Sequence, residues 1–152
     1  MPRFRAAAAL CLMSLAVGGG LVVAPGATAS RPPVKISFVQ YDSPGRDTGS
    51  NASLNSEYVL ITNTTTTNRA LTGWTLRDKA AHIYRFPAFV LKAKASVYVR
   101  TGKGIATASN RYYNLAWYVW NNTGDTAYLR DGRGVLQYSC TWTSRGLGYR
   151  SC

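Results

Sequence analysis

TAYLRDGRGVLQYSC, residues 126–140, is the stretch that decides the fold class of this chain. Two segments with alternating apolar side chains flank the run Asp131-Gly132-Arg133-Gly134. An Asp-Gly pair between alternating segments is one of the strongest short-range signals for a β-hairpin, because both residues tolerate the backbone angles of a tight turn. The stretch therefore predicts two antiparallel strands.

Segments with the same strand character continue toward the N-terminus. VKISFVQY alternates Val34, Ile36 and Phe38 with polar residues, which is the period of two expected of a β-strand. Further strands are predicted at EYVLITN (57–63), LTGWTLRD (71–78), HIYRFP (82–87), ASVYVRTG (95–102) and LAWYVW (115–120). About eight short strands separated by turn residues predict an all-β sandwich or barrel.

Three details of this interpretation concern loops and core residues. DSPGRDTGSNASLNS (42–56) concentrates turn residues and is predicted to be a loop. EYVLITN has apolar residues on both faces, which indicates a strand buried in a sandwich. Trp74 is predicted to anchor the core, and Trp117 and Trp120 are also assigned to it rather than to a binding surface.

The N-terminus has the features of a secretory signal peptide. Arg3 and Arg5 precede an apolar stretch, and Ala27-Thr28-Ala29 is a small-residue cleavage box. We predict a signal peptide over residues 1–29 and one exported domain over residues 30–152. A membrane anchor is the alternative, although no later segment is apolar and long enough to span a bilayer. The expected location is therefore outside the cell.

Cysteine content and charge limit the chemistry of the exported part. Cys11 lies in the predicted signal peptide, so Cys140 and Cys152 remain as a pair in an oxidising compartment, and we predict a disulfide between them. The whole chain has a net charge of +12. Without Arg3 and Arg5, sixteen basic and six acidic residues remain, giving +10. Such a charge attracts anionic polymers and surfaces.

Several segments resemble, in the same order, those of the lamin-tail domain family. They are NSEYVLITN, LTGWTLRD, HIYRFPAFVL, ASVYVRTG and WNNTGDTAYLRDGRG. The earlier pattern IxFxQYDSPGxD is similar to the leader strand of secreted bacterial members. The resemblance extends from Ile36 to Ser139, and the combination of GWxL with NNxGDxxxLRDxxG is far more specific than either motif alone.

The resemblance implies an immunoglobulin-like β-sandwich and a role in binding or interaction, without a conserved active site. The chain lacks the coiled-coil rod of animal lamins, so filament formation and nuclear location do not carry over. We therefore predict a secreted, non-catalytic binding module of the cell exterior with no cofactor. Its expected partners are anionic polymers, either wall polymer or nucleic acid, or an envelope protein.

Candidate functional residues come mainly from the basic middle of the chain. The predicted anion-binding set is Lys92, Lys94, Arg100, Lys103 and Arg111. No catalytic or metal site is assigned. The single His82 lies in an alternating strand without a nucleophile motif, which favours a structural role. Whether Asp42, Asp47 and Glu57 bind a metal ion is left open, as is the oligomeric state.

Two further functions remain as alternatives to polymer binding. The first is a structural or scaffold protein that acts through protein contacts. The second is an extracellular hydrolase or nuclease, suggested because lamin-tail domains accompany such enzymes in larger proteins. A paired-carboxylate mechanism is disfavoured because three of the six acidic residues lie in turn signals.

Overall fold

A computed structural model describes residues 32–143 and 146–152. The predicted signal peptide and its cleavage box lie outside these residues. Within the described ranges, no helix is long and apolar enough to cross a membrane.

The described chain consists of eleven strands and one short helix. In chain order they are β1 (Val34–Gln40), α1 (Asn51–Ser56), β2 (Tyr58–Asn63), β3 (Arg69–Ala70), β4 (Thr75–Arg77), β5 (Ile83–Arg85), β6 (Val90–Leu91), β7 (Ser96–Arg100), β8 (Asn110–Tyr112), β9 (Gly124–Arg130), β10 (Leu136–Thr143) and β11 (Tyr149–Ser151).

The strands form two main sheets packed as an immunoglobulin-like sandwich, as the sequence predicts. The larger sheet has the strand order β11-β1-β2-β7-β8, and the smaller one has the order β10-β9-β4-β5. Strands β3 and β6 form a separate two-stranded ribbon. All neighbouring strands are antiparallel except β7 and β8, which are parallel.

Alternation along each strand builds the core between the sheets. In β2 and β7 the odd-numbered positions Val59, Ile61, Val97 and Val99 are buried, while their neighbours face outward. Strand β2 is therefore a strand of the sandwich, as predicted, with one face buried in the core and the other half-buried. Its outward residue Tyr58 is only half-buried, because the outer face of the larger sheet has no further layer over it.

Seven of the predicted strands are present, but LAWYVW is not a strand. Residues 115–120 form a loop between β8 and β9, whose backbone bonds a buried carboxylate instead of a neighbouring strand. Within the predicted loop 42–56, residues 51–56 form α1, because the Ser50 side chain caps the helix by accepting the backbone N–H of Ser53. Strands β3, β6, β8 and β11 are two or three residues long and carry too little alternation to be recognised.

The tryptophans divide between core and surface differently from the prediction. Trp120 is buried and contacts the buried Trp142 edge to face, so its assignment to the core is confirmed. Trp74 packs against the core but remains partly exposed. Trp117 is largely exposed, and its assignment to the core is wrong. Its loop lies at the end of the sandwich, where there is no second sheet to cover it.

The predicted disulfide between Cys140 and Cys152 is confirmed. It connects β10 of the smaller sheet with the residue that follows β11 of the larger one, across a sequence separation of 12. Two hydrogen bonds hold the same corner. The Tyr138 hydroxyl donates to the Cys152 carbonyl at 2.8 Å, and the Cys152 N–H donates to the Ser37 carbonyl at 3.0 Å. The bridge thus ties the residue after the edge strand β11 to β10 of the other sheet.

Replacing both cysteines by serine is expected to lower the free energy of unfolding by about 2–3 kcal/mol, because a short closed loop no longer restricts the unfolded chain. Urea unfolding of the double variant and of the wild type with and without reductant measures the change. Reductant should shift the wild type and leave the variant unaffected. A wild type that alkylates two cysteines without reductant would contradict the bridge.

Candidate functional site

Three arginines on the smaller sheet project from the same outer face, which we call the arginine face (Arg77, Arg85 and Arg130). Each arginine directly follows an inward-facing residue in its strand: Leu76 in β4, Tyr84 in β5 and Leu129 in β9. Leu76 is the cross-strand partner of both Tyr84 and Leu129. Because side chains alternate between the two faces, the arginines that follow them share the outer face.

Register sets the spacing of the arginine face. Arg85 and Arg130 lie on either side of Thr75, so two strand spacings, about 10 Å, separate them. Arg77 lies one row away and opposite Tyr128, with its guanidinium 5.8 Å from the centre of that ring. The three guanidinium groups therefore occupy neighbouring rows and strands of one sheet.

Hydrogen bonds to backbone carbonyls hold each arginine in place. Arg85 donates to the carbonyl of Gly73 at 3.0 Å, and Arg130 donates to that of Gly134 at 3.0 Å. Arg77 donates through Nε to the carbonyl of Asp78 at 3.3 Å. Since a guanidinium has five N–H donors, each group keeps donors for a ligand while losing part of its freedom.

The acidic residues near this face are used within the fold, and Asp131, which follows Arg130, accepts the backbone N–H groups of Arg133 and Val135 in the hairpin turn. Strands β4 and β5 contain no acidic residue, and the one in β9, Asp125, is buried. Its carboxylate accepts the backbone N–H groups of Lys79, Asn121 and Thr126 at 3.2, 3.2 and 2.7 Å. Among the described residues, the only ion pair of a lysine or arginine joins Arg133 to Asp131, at 3.9 Å. Arg77, Arg85 and Arg130 therefore have no ion-pair partner among the described residues.

Asp78 and His82 are joined within the turn between β4 and β5. The Asp78 carboxylate accepts the backbone N–H of His82 at 2.7 Å and lies 2.6 Å from its Nδ1 atom. Asp78 is buried and the imidazole is partly exposed. Two bonds to the same residue four positions along the chain close the turn between β4 and β5. In the described residues, no group of three or more His, Cys, Asp or Glu side chains is placed to hold a metal ion.

Glu57 is buried, and its carboxylate takes the place of a neighbouring strand as the hydrogen-bond partner of the 115–120 loop. Its carboxylate accepts the backbone N–H groups of Val119 at 3.1 Å and Trp120 at 2.8 Å, together with the hydroxyl of Thr101. Burial raises the pKa of Glu57 to about 7, and the donated hydrogen bonds oppose this rise only in part. Glu57 therefore positions the end loops of the sandwich.

The five residues predicted to bind anions are not brought together. Lys92 and Lys94 lie in the turn before β7, whereas Arg100 and Lys103 lie at or after its other end, about 20 Å away along the strand. Arg111 is buried, with its guanidinium 4.0 Å from the centre of the Phe89 ring, so it does not belong to an exposed anion-binding surface.

Arg100 belongs to an aromatic row on the outer face of the larger sheet. Tyr149, Phe38, Tyr58 and Tyr98 follow one another across four strands, with ring centroids 5.4, 6.0 and 5.1 Å apart. The Arg100 guanidinium lies 5.4 and 5.0 Å from the last two ring centroids. The rings use much of their surface on one another, so this row is a second, more apolar candidate surface.

The model of the lamin tail domain matches residues 27–144, well over half of the chain. This chain belongs to the lamin tail domain family. No curated protein matches it. The family consists of immunoglobulin-like interaction modules, which agrees with the sandwich described above. Strand β11 and Cys152 lie after the matched residues of the lamin tail domain, so the disulfide connects this additional edge strand to the family fold.

The sequence contains a signal for the arginine face that the prediction overlooked. TLR (75–77), IYR (83–85) and YLR (128–130) share one pattern, in which an arginine directly follows a large inward-facing residue. In a strand this pattern places each arginine outward. The prediction instead used the number of basic residues per stretch of sequence, which is high between Lys92 and Arg111. That number takes no account of which strands are neighbours in a sheet.

Proposed function

We propose that this lamin tail domain is a secreted, non-catalytic module that binds anionic polymers through the arginine face. The observation that carries the proposal is the convergence of Arg77, Arg85 and Arg130 on one surface of a sheet in which β4 and β5 contain no acidic residue and the Asp125 of β9 is buried. Export is supported by the signal-like N-terminus and by the disulfide, which suits an oxidising compartment.

The geometry supports contact with a repeated anion rather than with one small ligand. A guanidinium binds phosphate or carboxylate through two parallel N–H donors, and three of them spread over neighbouring strands match successive charges of a polymer. The three arginines project from separate strands of one sheet face, so each would contact a different charge of the ligand. We therefore expect little sequence preference, since contacts to a charged backbone position a polymer without reading it.

Affinity for duplex DNA is expected to fall steeply with salt. If three phosphates are neutralised, the slope of log K against log salt is about −2.7, and affinity falls about fortyfold between 50 and 200 mM salt. Fluorescence-anisotropy titration of a short duplex, a polyphosphate polymer and neutral dextran at several salt concentrations measures this. Equal binding to dextran, or an affinity for DNA that ignores salt, would overturn the proposal.

A scaffold role through protein contacts is the second candidate function. The aromatic row of Tyr149, Phe38, Tyr58 and Tyr98 beside Arg100 favours it, because Tyr, Phe and Arg are enriched at protein interfaces. Tyr98→Ser tests this surface separately. In the titration above it should leave the affinity for DNA and its salt slope unchanged if the arginine face is the polymer site.

A further inference from the structure

Strand β10 differs from the other edge strands of the two main sheets in the described part of the chain. Those sheets end at β11 and β8 on the larger side and at β10 and β5 on the smaller side. Strands β5, β8 and β11 are three residues long and each contains an arginine, whereas β10 has eight residues and no charged side chain. Short length and charged side chains keep an edge from pairing with another chain. Strand β10 has neither protection.

The backbone of β10 is unpaired along one side. A register shift between Leu136 and Tyr138 interrupts the start of the strand, and from Tyr138 to Thr143 it pairs regularly with β9. Within residues 32–143 and 146–152, no backbone–backbone hydrogen bond connects Tyr138–Thr143 to any element other than β9. In an antiparallel edge strand, the N–H and C=O groups of alternate residues point away from the neighbouring strand. This side of β10 therefore offers a row of free donors and acceptors.

A groove follows the free side of β10, with β10 as one wall and β11 as the other. It consists of three cavities with volumes of about 340, 200 and 310 Å³. The first two cavities share Tyr138 and Cys152, and the last two share Thr141 and Arg150, so they follow one another along β10. The disulfide between Cys140 and Cys152 joins the two walls. The width of the groove is therefore fixed covalently at this point.

The charged side chains of this groove are basic. Lys35 lines the first cavity and Arg150 lines the other two, and no acidic side chain lines any of the three. Arg150 is exposed and Lys35 is half-buried, and neither forms an ion pair among the described residues. The whole chain is also basic, with a net charge of +12. The groove therefore complements an acidic ligand and disfavours a basic one.

We propose that the groove binds an extended acidic peptide segment of a partner protein, which adds to β10 as a further strand of the smaller sheet. An unpaired strand edge is recognised by the backbone of another extended chain, and alternate side chains supply the selectivity. Every second side chain of the peptide enters the groove near Lys35 and Arg150, while the others face outward, as the exposed Ser139 and Thr141 do. A second copy of this chain fits less well, because it is equally basic.

Anisotropy titration with three labelled peptides of equal length tests the pairing. The first alternates glutamate with threonine or valine, the second has lysine in place of glutamate, and the third is the acidic peptide with a methyl group on every backbone nitrogen. The acidic peptide is expected to bind. The other two should bind at least about tenfold more weakly, because one reverses the charge and the other lacks the backbone donors that pair with β10.

Two double variants separate the groove from the general positive charge. Lys35→Gln with Arg150→Gln should weaken binding of the acidic peptide about threefold to tenfold, because each contact is a partly exposed ion pair. The matched control is Lys79→Gln with Lys103→Gln, which removes the same charge from exposed lysines after β4 and β7, away from the β10 and β11 edges. The control should stay within about twofold of the wild type, since it removes only screened, long-range attraction.

Amide hydrogen exchange locates the bound peptide. The acidic peptide should slow exchange at alternate residues of Tyr138–Thr143 and leave β5, at the other edge of the same sheet, unchanged. A variant that neutralises the arginine face should bind the peptide within about threefold of the wild type, so this site and the polymer site can fail separately.

Four results would overturn peptide binding at β10. They are an acidic peptide that does not bind, a methylated peptide that binds as tightly as its parent, a control pair that loses as much as the groove pair, and slowed exchange elsewhere but not in Tyr138–Thr143. Self-association of the protein that protects the same amides would assign the edge to a second copy instead, and sedimentation of the protein alone measures it.

Discussion

Glu57→Ala is expected to lower the free energy of unfolding by about 3–9 kcal/mol. The change leaves the backbone N–H groups of Val119 and Trp120 and the hydroxyl of Thr101 without their buried acceptor. Each unsatisfied buried group costs about 1–3 kcal/mol, and a typical domain is stable by only about 5–15 kcal/mol. Urea unfolding followed by tryptophan fluorescence measures the loss.

Two variants serve as controls for this prediction. Glu57→Gln keeps the shape and one good acceptor, so about 1–3 kcal/mol should be lost. Asp47→Ala removes an exposed carboxylate from the same region and should change stability by less than about 0.5 kcal/mol. If Glu57→Ala unfolds at the same urea concentration as Asp47→Ala, the 115–120 loop does not depend on the buried carboxylate.

The raised pKa of Glu57 also gives stability a pH dependence of known sign. The folded-state pKa is about 7 and the ordinary value is 4.5, so between these pH values the native state holds a proton that the unfolded state has lost. This contribution to stability is fully present below pH 4.5 and falls by about 3 kcal/mol as pH rises to 7. The profile of Glu57→Gln should lack that fall.

Neutralising the arginine face is expected to produce the largest change in binding. Arg77→Gln, Arg85→Gln and Arg130→Gln together should lower affinity for duplex DNA about a hundredfold to a thousandfold in 50 mM salt. Each lost hydrogen bond on this solvent-exposed face removes about 1–1.4 kcal/mol, and about 1.4 kcal/mol is tenfold in affinity. The salt slope should fall toward zero. Anisotropy titration against the wild type measures both changes.

The matched control neutralises three basic residues elsewhere on the surface. Arg69, Lys92 and Lys94 are all exposed and lie near the end of the sandwich opposite the 115–120 loop. Replacing them by glutamine removes the same charge but should lower affinity less than about fivefold, since it removes only long-range attraction. Equal losses in the two triple variants would indicate diffuse attraction by net charge and contradict a defined site.

The inward direction of the acidic residues connects the fold with the proposed function. Glu57, Asp78 and Asp125 are buried and serve backbone N–H groups in the loops. Loops between short strands need such acceptors, because their backbone has no neighbouring strand. Because these three carboxylates are buried, the surface has a larger excess of basic over acidic side chains than the composition alone indicates.

Local sequence rules determined the all-β class and most strands of this protein. The turn at Asp131-Gly132 and the alternation in β1, β2 and β7 depend on residues a few positions apart, so they can be read without knowing any distant contact. The pairing of Cys140 with Cys152 was also predictable, because the predicted exported part contains no other cysteine.

Tertiary structure decided what local patterns could not. LAWYVW has strand composition, yet it forms a loop because Glu57, some sixty residues earlier, supplies the acceptors for its backbone. The arginine face exists because β4, β5 and β9 are neighbours in one sheet, although β9 begins 39 residues after β5 ends. Alternation determines the face on which a side chain lies within one strand, but only the order of strands determines which side chains share a surface.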